Sequence, residues 1–189
     1  MAGRTALAHS YVRDGLAVTT AVEVDWTRWT VVLLKPDCVA RGLVDPVLTW
    51  VGTEVILVDQ RLVTPTEEQI FAHYEDLLTI RRAHFTWVDV ADDLRRTYVG
   101  QRVGIALGHA PNAAPRLRDL LGHYDPTHAG LLTIRGRFGQ DSLRQAQAEG
   151  RLIANVIHSS NDPAGAQREF GIWYGPHLRH LLRSPTARL

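Results

Sequence analysis

A mixed α/β domain is the fold class the sequence predicts, on three observations. Four short runs are rich in β-branched residues, a stretch with helical spacing follows each of them, and the composition can bury a core. The 189 residues are 45% hydrophobic and 22% charged, as in an ordinary globular protein. At about 150 residues per domain they make one domain with room for additions. Lys and Arg number 21 against 20 Asp and Glu, a net charge of +1. That balance excludes a polybasic nucleic-acid binder and, with the composition, disorder over most of the length. A single cysteine, Cys38, allows neither an internal disulfide nor a Cys-based structural zinc site. The longest apolar runs, at 31–34 for example, fall far short of a membrane span. Residues 1–8 lack the apolar core of a signal peptide. The expected location is the cytoplasm, with no membrane partner.

Taken in order, residues 1–26 mix Gly, Thr, Arg and Asp without a period and read as a flexible arm or an added strand. Residues 29–34 are a buried strand stopped at Lys35-Pro36-Asp37, because proline lacks the amide to continue a ladder. Val44, Val47, Leu48 and Val51 have helical spacing, and Pro46 suits a first turn. Residues 55–58 are a second strand. Thr64-Pro65-Thr66-Glu67-Glu68 opens a helix through Ile70, Phe71 and Tyr74, with a hydroxyl cap, proline in the first turn and acids at the positive end of the dipole. Residues 79–100 carry an arginine-rich helical pattern, 103–107 a third strand, 115–121 a short helix, and Asp125-Pro126 a turn. Residues 139–151 read as a polar helix or exposed loop, 152–157 as the last strand. Asp162-Pro163 opens a final helix with Ala166, Phe170 and Trp173 on one face. Alternation of strand and helix by itself favours a parallel, doubly wound sheet.

The residues suited to chemistry fall in four separated clusters: Lys35 at a strand end, Arg118 in a short helix, Arg135 in Thr133-Ile134-Arg135-Gly136, and His158 in Asn155-Val156-Ile157-His158-Ser159-Ser160. Guanidiniums clamp phosphate oxygens, an ammonium neutralises developing charge, and an imidazole nitrogen can carry a phosphoryl group covalently. Together they point to phosphoryl transfer. The other eight of the nine histidines read as chemically idle, the pairs His123/His128 and His177/His180 included, since no cysteine accompanies them. Arg81-Arg82 and Arg95-Arg96 read as a solvated face paired with Asp89, Asp92 and Asp93 rather than a nucleic-acid contact. Trp26, Trp29, Trp50 and Trp173 read as core or subunit-contact residues, and Cys38 as a packed small hydrophobe.

The order and spacing of these clusters resemble the nucleoside diphosphate kinase family over residues 28–176. The carriers are Lys35-Pro36-Asp37 with Arg41-Gly42-Leu43-Val44, His73-Tyr74, Leu121-Gly122 with Asp125-Pro126, Thr133-Ile134-Arg135-Gly136, Asn155-Val156-Ile157-His158, and Arg168-Glu169-Phe170-Gly171-Ile172-Trp173-Tyr174. The resemblance implies ping-pong transfer of a γ-phosphate from a nucleoside triphosphate, through phosphohistidine at His158, to a nucleoside diphosphate. It gives Glu169 the task of fixing the His158 tautomer, with Ser160 bonding that glutamate. Lys35, Arg118, Arg135 and, in place of the family's threonine, Tyr124 would hold phosphate, with Tyr74 near the nucleophile. Asn155 would bond the ribose 3′-hydroxyl, with Leu152 and Phe85 against the base; Trp87 is a second aromatic candidate there. The implied cofactor is Mg²⁺ with ATP or another nucleoside triphosphate, held mainly by nucleotide phosphates and by no protein ligand set. The implied fold is α+β: a ferredoxin-like βαββαβ sandwich whose four-stranded antiparallel sheet is covered by helices on one face. This replaces the parallel default, which periodicity alone favours.

Family expectations divide the chain into an N-terminal arm (1–27), a kinase-like domain (28–176) with expansions near 79–100 and 139–151, and a C-terminal tail (177–189). Because 139–151 joins two site strands, it should lie beside the nucleotide cleft. The family's His-Gly-Ser-Asp becomes His158-Ser159-Ser160-Asn161: Ser159 narrows a place kept bare, and Asn161 removes a charge. Arg137 stands where an acid usually follows Thr-Ile-Arg-Gly. The departures at Ser159, Asn161 and Tyr124 keep open a nucleotide-binding module for regulation or assembly without turnover. The insertion at 139–151 keeps open a pathway-specific kinase for an unusual nucleotide. A homo-oligomer (dimer, tetramer or hexamer) is the expected assembly.

Overall fold

Two strands precede the predicted first one. In the computed structural model, which describes residues 4–13, 16–183 and 185, β1 (Arg4–Arg13) and β2 (Leu16–Asp25) pair antiparallel with each other. They form a separate two-stranded ribbon. The N-terminal segment therefore adds strands, but not to the main sheet. It is joined to the domain at Val24 and Trp26, both in the core.

Strand β3 (Trp29–Leu34) follows, buried at all six positions. Next come α1 (Pro36–Ala40), α2 (Val44–Val51), β4 (Ile56–Val63), α3 (Glu67–His73), α4 (Glu75–Leu78), α5 (Val90–Tyr98) and β5 (Val103–His109). The chain continues through α6 (Ala113–Leu121), α7 (Ile134–Phe138), α8 (Leu143–Ala148), β6 (Ile157–Ser159) and α9 (Pro163–Trp173). The main sheet has the order β4-β5-β3-β6, every neighbouring pair antiparallel. This is the βαββαβ wiring, with α3 to α5 accommodated between its second and third strands.

Helices cover both faces of the sheet, not one. Val31, Leu33, Ile105 and Leu107 pack with Ile70, Leu94, Tyr98, Phe170 and Trp173 on one side. Val32, Leu34 and Ala106 pack with Val47, Leu48, Leu117 and Leu121 on the other. A strand buried on both faces reads as an unbroken apolar run, which is why β3 stood out in the sequence. The second face is close-packed at Gly108, where a Cβ would come within 2.7 Å of Val55 Cγ2.

Three local expectations are corrected. The cap of α3 is Thr66, whose Oγ1 accepts from Gln69 N while Gln69 Oε1 accepts from Thr66 N. Pro65 thus precedes the cap, and Tyr74 lies beyond the helix. Arg135 sits on a helix, α7, not on a strand. The last strand begins only at Ile157. Residues 152–156 have strand composition, but carboxylates take their alternate amides: Asp93 Oδ2 accepts from Leu152 N at 3.0 Å, Asp141 Oδ2 from Ala154 N at 2.8 Å, and Asp37 Oδ2 from Val156 N at 3.1 Å.

Candidate active site

His158 is aimed by the segment that precedes it. Val156 has φ +60°, a conformation strained for a β-branched residue. Ile157 N donates to Asn155 O at 2.7 Å, closing a γ-turn. Such strain costs about 1–3 kcal/mol and persists only where neighbours over-determine it. Here Asp37 holds the Val156 amide, Lys35 N donates to Val156 O at 2.9 Å, and Arg135 Nη2 donates to Ile157 O at 2.9 Å.

On β6, His158 pairs with Leu33, and its side chain shares the face with α3 and α9. Its Nε2 donates to Glu169 Oε1 at 2.9 Å, and Ser160 Oγ donates to Glu169 Oε2 at 2.7 Å. Ser160 Oγ accepts in turn from Val31 N at 2.9 Å. Glu169 is fixed because Asp162 Oδ1 caps α9, accepting from Gly165 N at 2.7 Å. The arrangement places the ring proton on Nε2 and leaves Nδ1 a lone pair, on a side chain 18% exposed. Burial first, then the charges of Lys35, Arg135 and Arg118, push the His158 pKa down to about 3. The ring is neutral at physiological pH. Burial raises the Glu169 pKa, opposed by His73, the Ser160 hydroxyl and Arg168.

The cations surround this ring from three elements. Lys35, half-buried at the end of β3, has its pKa lowered to about 8 by burial, with Asp37 opposing and Arg135 reinforcing. Arg135 is 5% exposed. Its Nη1 donates to Gly122 O at 3.0 Å and its Nε is buried without a partner. Burial and Arg118 lower its pKa to about 10. Arg118 is exposed in the last turn of α6.

Tyr74 faces His158 edge-on at 6.2 Å between ring centroids, and its hydroxyl pairs with Tyr98 Oη at 2.7 Å. Sequence reasoning missed Tyr98. Asn155 Nδ2 donates to Tyr124 O at 2.6 Å, and Asn155 Oδ1 is buried without a partner. Tyr124 contributes this backbone carbonyl to the site, while its ring is 50% exposed and leans on His123. Phe85 and Leu152 pack at the edge of one core, with Phe85 against Trp87. Trp87 Nε1 donates to Arg151 O at 3.3 Å, so segments 79–100 and 139–151 meet beside Leu152. Segment 139–151, containing α8, joins α7 to the 152–156 loop, and neither of these is a strand.

Two departures weigh less than the sequence suggested. Ser159 is fully buried opposite Val32, on the face away from His158, because neighbours along a strand alternate. It does not crowd the ring. Asn161 is exposed, and the carboxylate next to it, Asp162, caps α9.

By distance, His73, His158 and Glu169 could share a metal ion, each offering one atom within 4.8 Å of the others. The donor chemistry opposes it. Trp173 Nε1 donates to His73 Nδ1 at 3.1 Å, which puts the proton of a neutral His73 on Nε2, whereas a ligating imidazole donates its other N–H outward. Three cations beside the cluster oppose an added cation as well.

Comparisons with known proteins agree with this geometry. The family model described as nucleoside diphosphate kinase matches residues 28–178. A nucleoside diphosphate kinase of Pyrobaculum aerophilum is 28% identical over 172 residues, covering 77% of this chain and 93% of its own. One of Streptococcus uberis is 30% identical over 150 residues, covering 79% and 94%. The solved structure of the Borrelia burgdorferi enzyme, a transition-state mimic with bound vanadate and ADP, superposes with a TM-score of 0.70. The match has 28% identity and covers 78% of this chain and 86% of that one. Among the described residues no helix is long and apolar enough to cross a membrane. With the sheet order, the His158–Glu169–Ser160 chain and a family match over most of its length, the chain belongs to the nucleoside diphosphate kinase family.

Proposed function

We propose that the chain transfers the γ-phosphate of a nucleoside triphosphate to a nucleoside diphosphate in two half-reactions through phosphohistidine at His158. The observation that carries this reading is the bond from His158 Nε2 to buried Glu169, which leaves Nδ1 unprotonated among three cations. In the first half-reaction the Nδ1 lone pair attacks the γ-phosphorus. The P–O bond to the β-phosphate breaks, and the diphosphate leaves with the bond electrons. In the second, a terminal β-phosphate oxygen of the acceptor attacks the same phosphorus and the P–N bond breaks. Glu169 balances the charge that grows on the ring when Nδ1 bonds to phosphorus.

Lys35, Arg118 and the unused N–H groups of Arg135 would hold phosphate oxygens. The unpaired Asn155 Oδ1 is a ready acceptor for a sugar hydroxyl. Phe85 and Leu152 would flank the base. The nearby carboxylates Asp37, Asp93 and Asp141 are already bonded to amides, the last two also to Arg96 and Arg151. They fit a magnesium ion held by phosphate oxygens and water rather than by the protein. When bound, that ion would supply positive charge to neutralise the nucleotide phosphates.

The test is incubation with a γ-labelled nucleoside triphosphate. The expected result is an acid-labile, alkali-stable phosphate on the protein, absent from His158→Ala. An unlabelled wild-type chain, under conditions that label the Streptococcus uberis relative, contradicts the proposal.

A further inference from the structure

His73 was expected to be chemically idle. It is 2% exposed, its Nδ1 accepts from Trp173 Nε1, and its Nε2 is buried with no partner. A buried neutral imidazole has one proton, and an accepting Nδ1 puts that proton on Nε2. His73 therefore brings an unpaired N–H donor into the site. Its ring stands edge-to-face against His158, centroids 4.5 Å apart at 81°. One of its nitrogens lies within 4.8 Å of both a His158 nitrogen and a Glu169 oxygen. Behind it, Trp173 packs on the same ring at 5.5 Å, and Tyr74 at 4.7 Å.

A buried donor without an acceptor is costly, and a fold that retains one beside a reacting pair calls for an account. We propose that His73 is a positioning residue for His158. Locked by Trp173 in the Nε2–H tautomer, it presents a donor to the His158–Glu169 pair and an aromatic edge to the ring, holding His158 with Nε2–H on Glu169 and Nδ1 toward the cleft. One feature gives this direction: a donor beside Glu169 favours the carboxylate as an acceptor, the form that holds Nε2–H of His158. The inference rests on His158 being the nucleophile, and His73 touches no substrate; it acts through the orientation and tautomer of another ring.

Three substitutions separate this role from simple packing. His73→Phe keeps a ring and removes both nitrogens. His73→Gln replaces the ring but returns a donor near the Nε2 position. Trp173→Phe deletes the indole N–H that fixes the tautomer. The expected result is a kcat about tenfold lower for His73→Phe, with nucleotide KM changed less than about twofold and most of the loss recovered in His73→Gln. Nitrogen-15 chemical shifts of the free protein should show a pure Nε2–H tautomer at His158 in the wild type. They should show a mixture of tautomers in His73→Phe and in Trp173→Phe. An unchanged His158 tautomer in both variants overturns the proposal, as does a His73→Gln chain no faster than His73→Phe. If His73→Phe fails to fold, the tautomer measured in Trp173→Phe decides alone. Because the tautomer is read without turnover, a wild-type chain that transfers no phosphate would refute the kinase reading and leave the His73 test intact.

Discussion

Replacing Glu169 with Gln changes one atom at the centre of the site and removes one charge. In the native chain the carboxylate is 1% exposed and accepts from His158 Nε2 at 2.9 Å and Ser160 Oγ at 2.7 Å. Glutamine keeps an oxygen for His158 Nε2–H, and its amide can donate to Ser160, so both geometries survive. What disappears is the negative charge facing the ring when Nδ1 bonds to phosphorus. A hydrogen bond to a charged group contributes about 1.5–3 kcal/mol against about 0.5–1.5 for a neutral one, so the loss is about 1–2 kcal/mol, felt mainly in the transition state. At about 1.4 kcal/mol per factor of ten, kcat should fall by about 5- to 30-fold. Nucleotide KM should stay within about twofold, because no phosphate ligand is touched. A coupled assay measuring diphosphate-dependent formation of a second triphosphate gives both constants. A Glu169→Gln chain with wild-type kcat would refute the assignment of charge balance to this carboxylate.

Other perturbations test neighbouring parts of the site. Lys35 is charged below its depressed pKa of about 8 and loses that charge as pH rises through it. Nucleoside diphosphate affinity by calorimetry should therefore drop by about tenfold between pH 7 and pH 9.5, a dependence absent in Lys35→Met. Since the unfolded lysine keeps its proton up to its ordinary value of 10.5, Lys35 also makes stability rise with pH across the interval from about 8 to 10.5. Ser159→Ala removes a buried hydroxyl that has no partner; stability should rise by about 1 kcal/mol, seen as about 2–4 °C in Tm, with kcat unchanged. Asp37→Ala leaves the Val156 amide without its acceptor and releases the γ-turn. Urea unfolding should show a loss of about 1–3 kcal/mol, and kcat should fall more than KM rises.

How much of this was legible in sequence depends on whether the determinant was local. Strand β3 was, because burial on both faces leaves a continuous apolar run. The cap of α9 was legible too, since Asp162-Pro163 carries its own geometry. The wiring was not: alternating strands and helices are consistent with a parallel sheet, and only the resemblance pointed to the antiparallel order. Residues 152–157 misled for a physical reason. Their composition is that of a strand, but Asp37, Asp93 and Asp141, remote in sequence, take the amides, and the turn at Val156 breaks the pleat.

Within the site, the family resemblance, not spacing by itself, implied a hydrogen-bonded chain of His158, Glu169 and Ser160, and the structure contains those bonds. The face occupied by Ser159 needed only the parity of a strand, once the strand itself was placed. Arg135 was foreseen as a phosphate ligand, yet two of its donors bind backbone carbonyls, a use that no spacing announces. His73 could not be read in advance. Its tautomer is set by Trp173, 100 residues away.

The central claim is that His158 carries the phosphoryl group between two half-reactions, and the kinetic competence of the isolated intermediate tests it most directly. Phosphorylated protein, freed of nucleotide and mixed with excess nucleoside diphosphate in a rapid-quench instrument, should form one triphosphate per His158 phosphate at a rate no slower than kcat. Phosphate that stays on the protein, or leaves as inorganic phosphate while turnover continues, would contradict it.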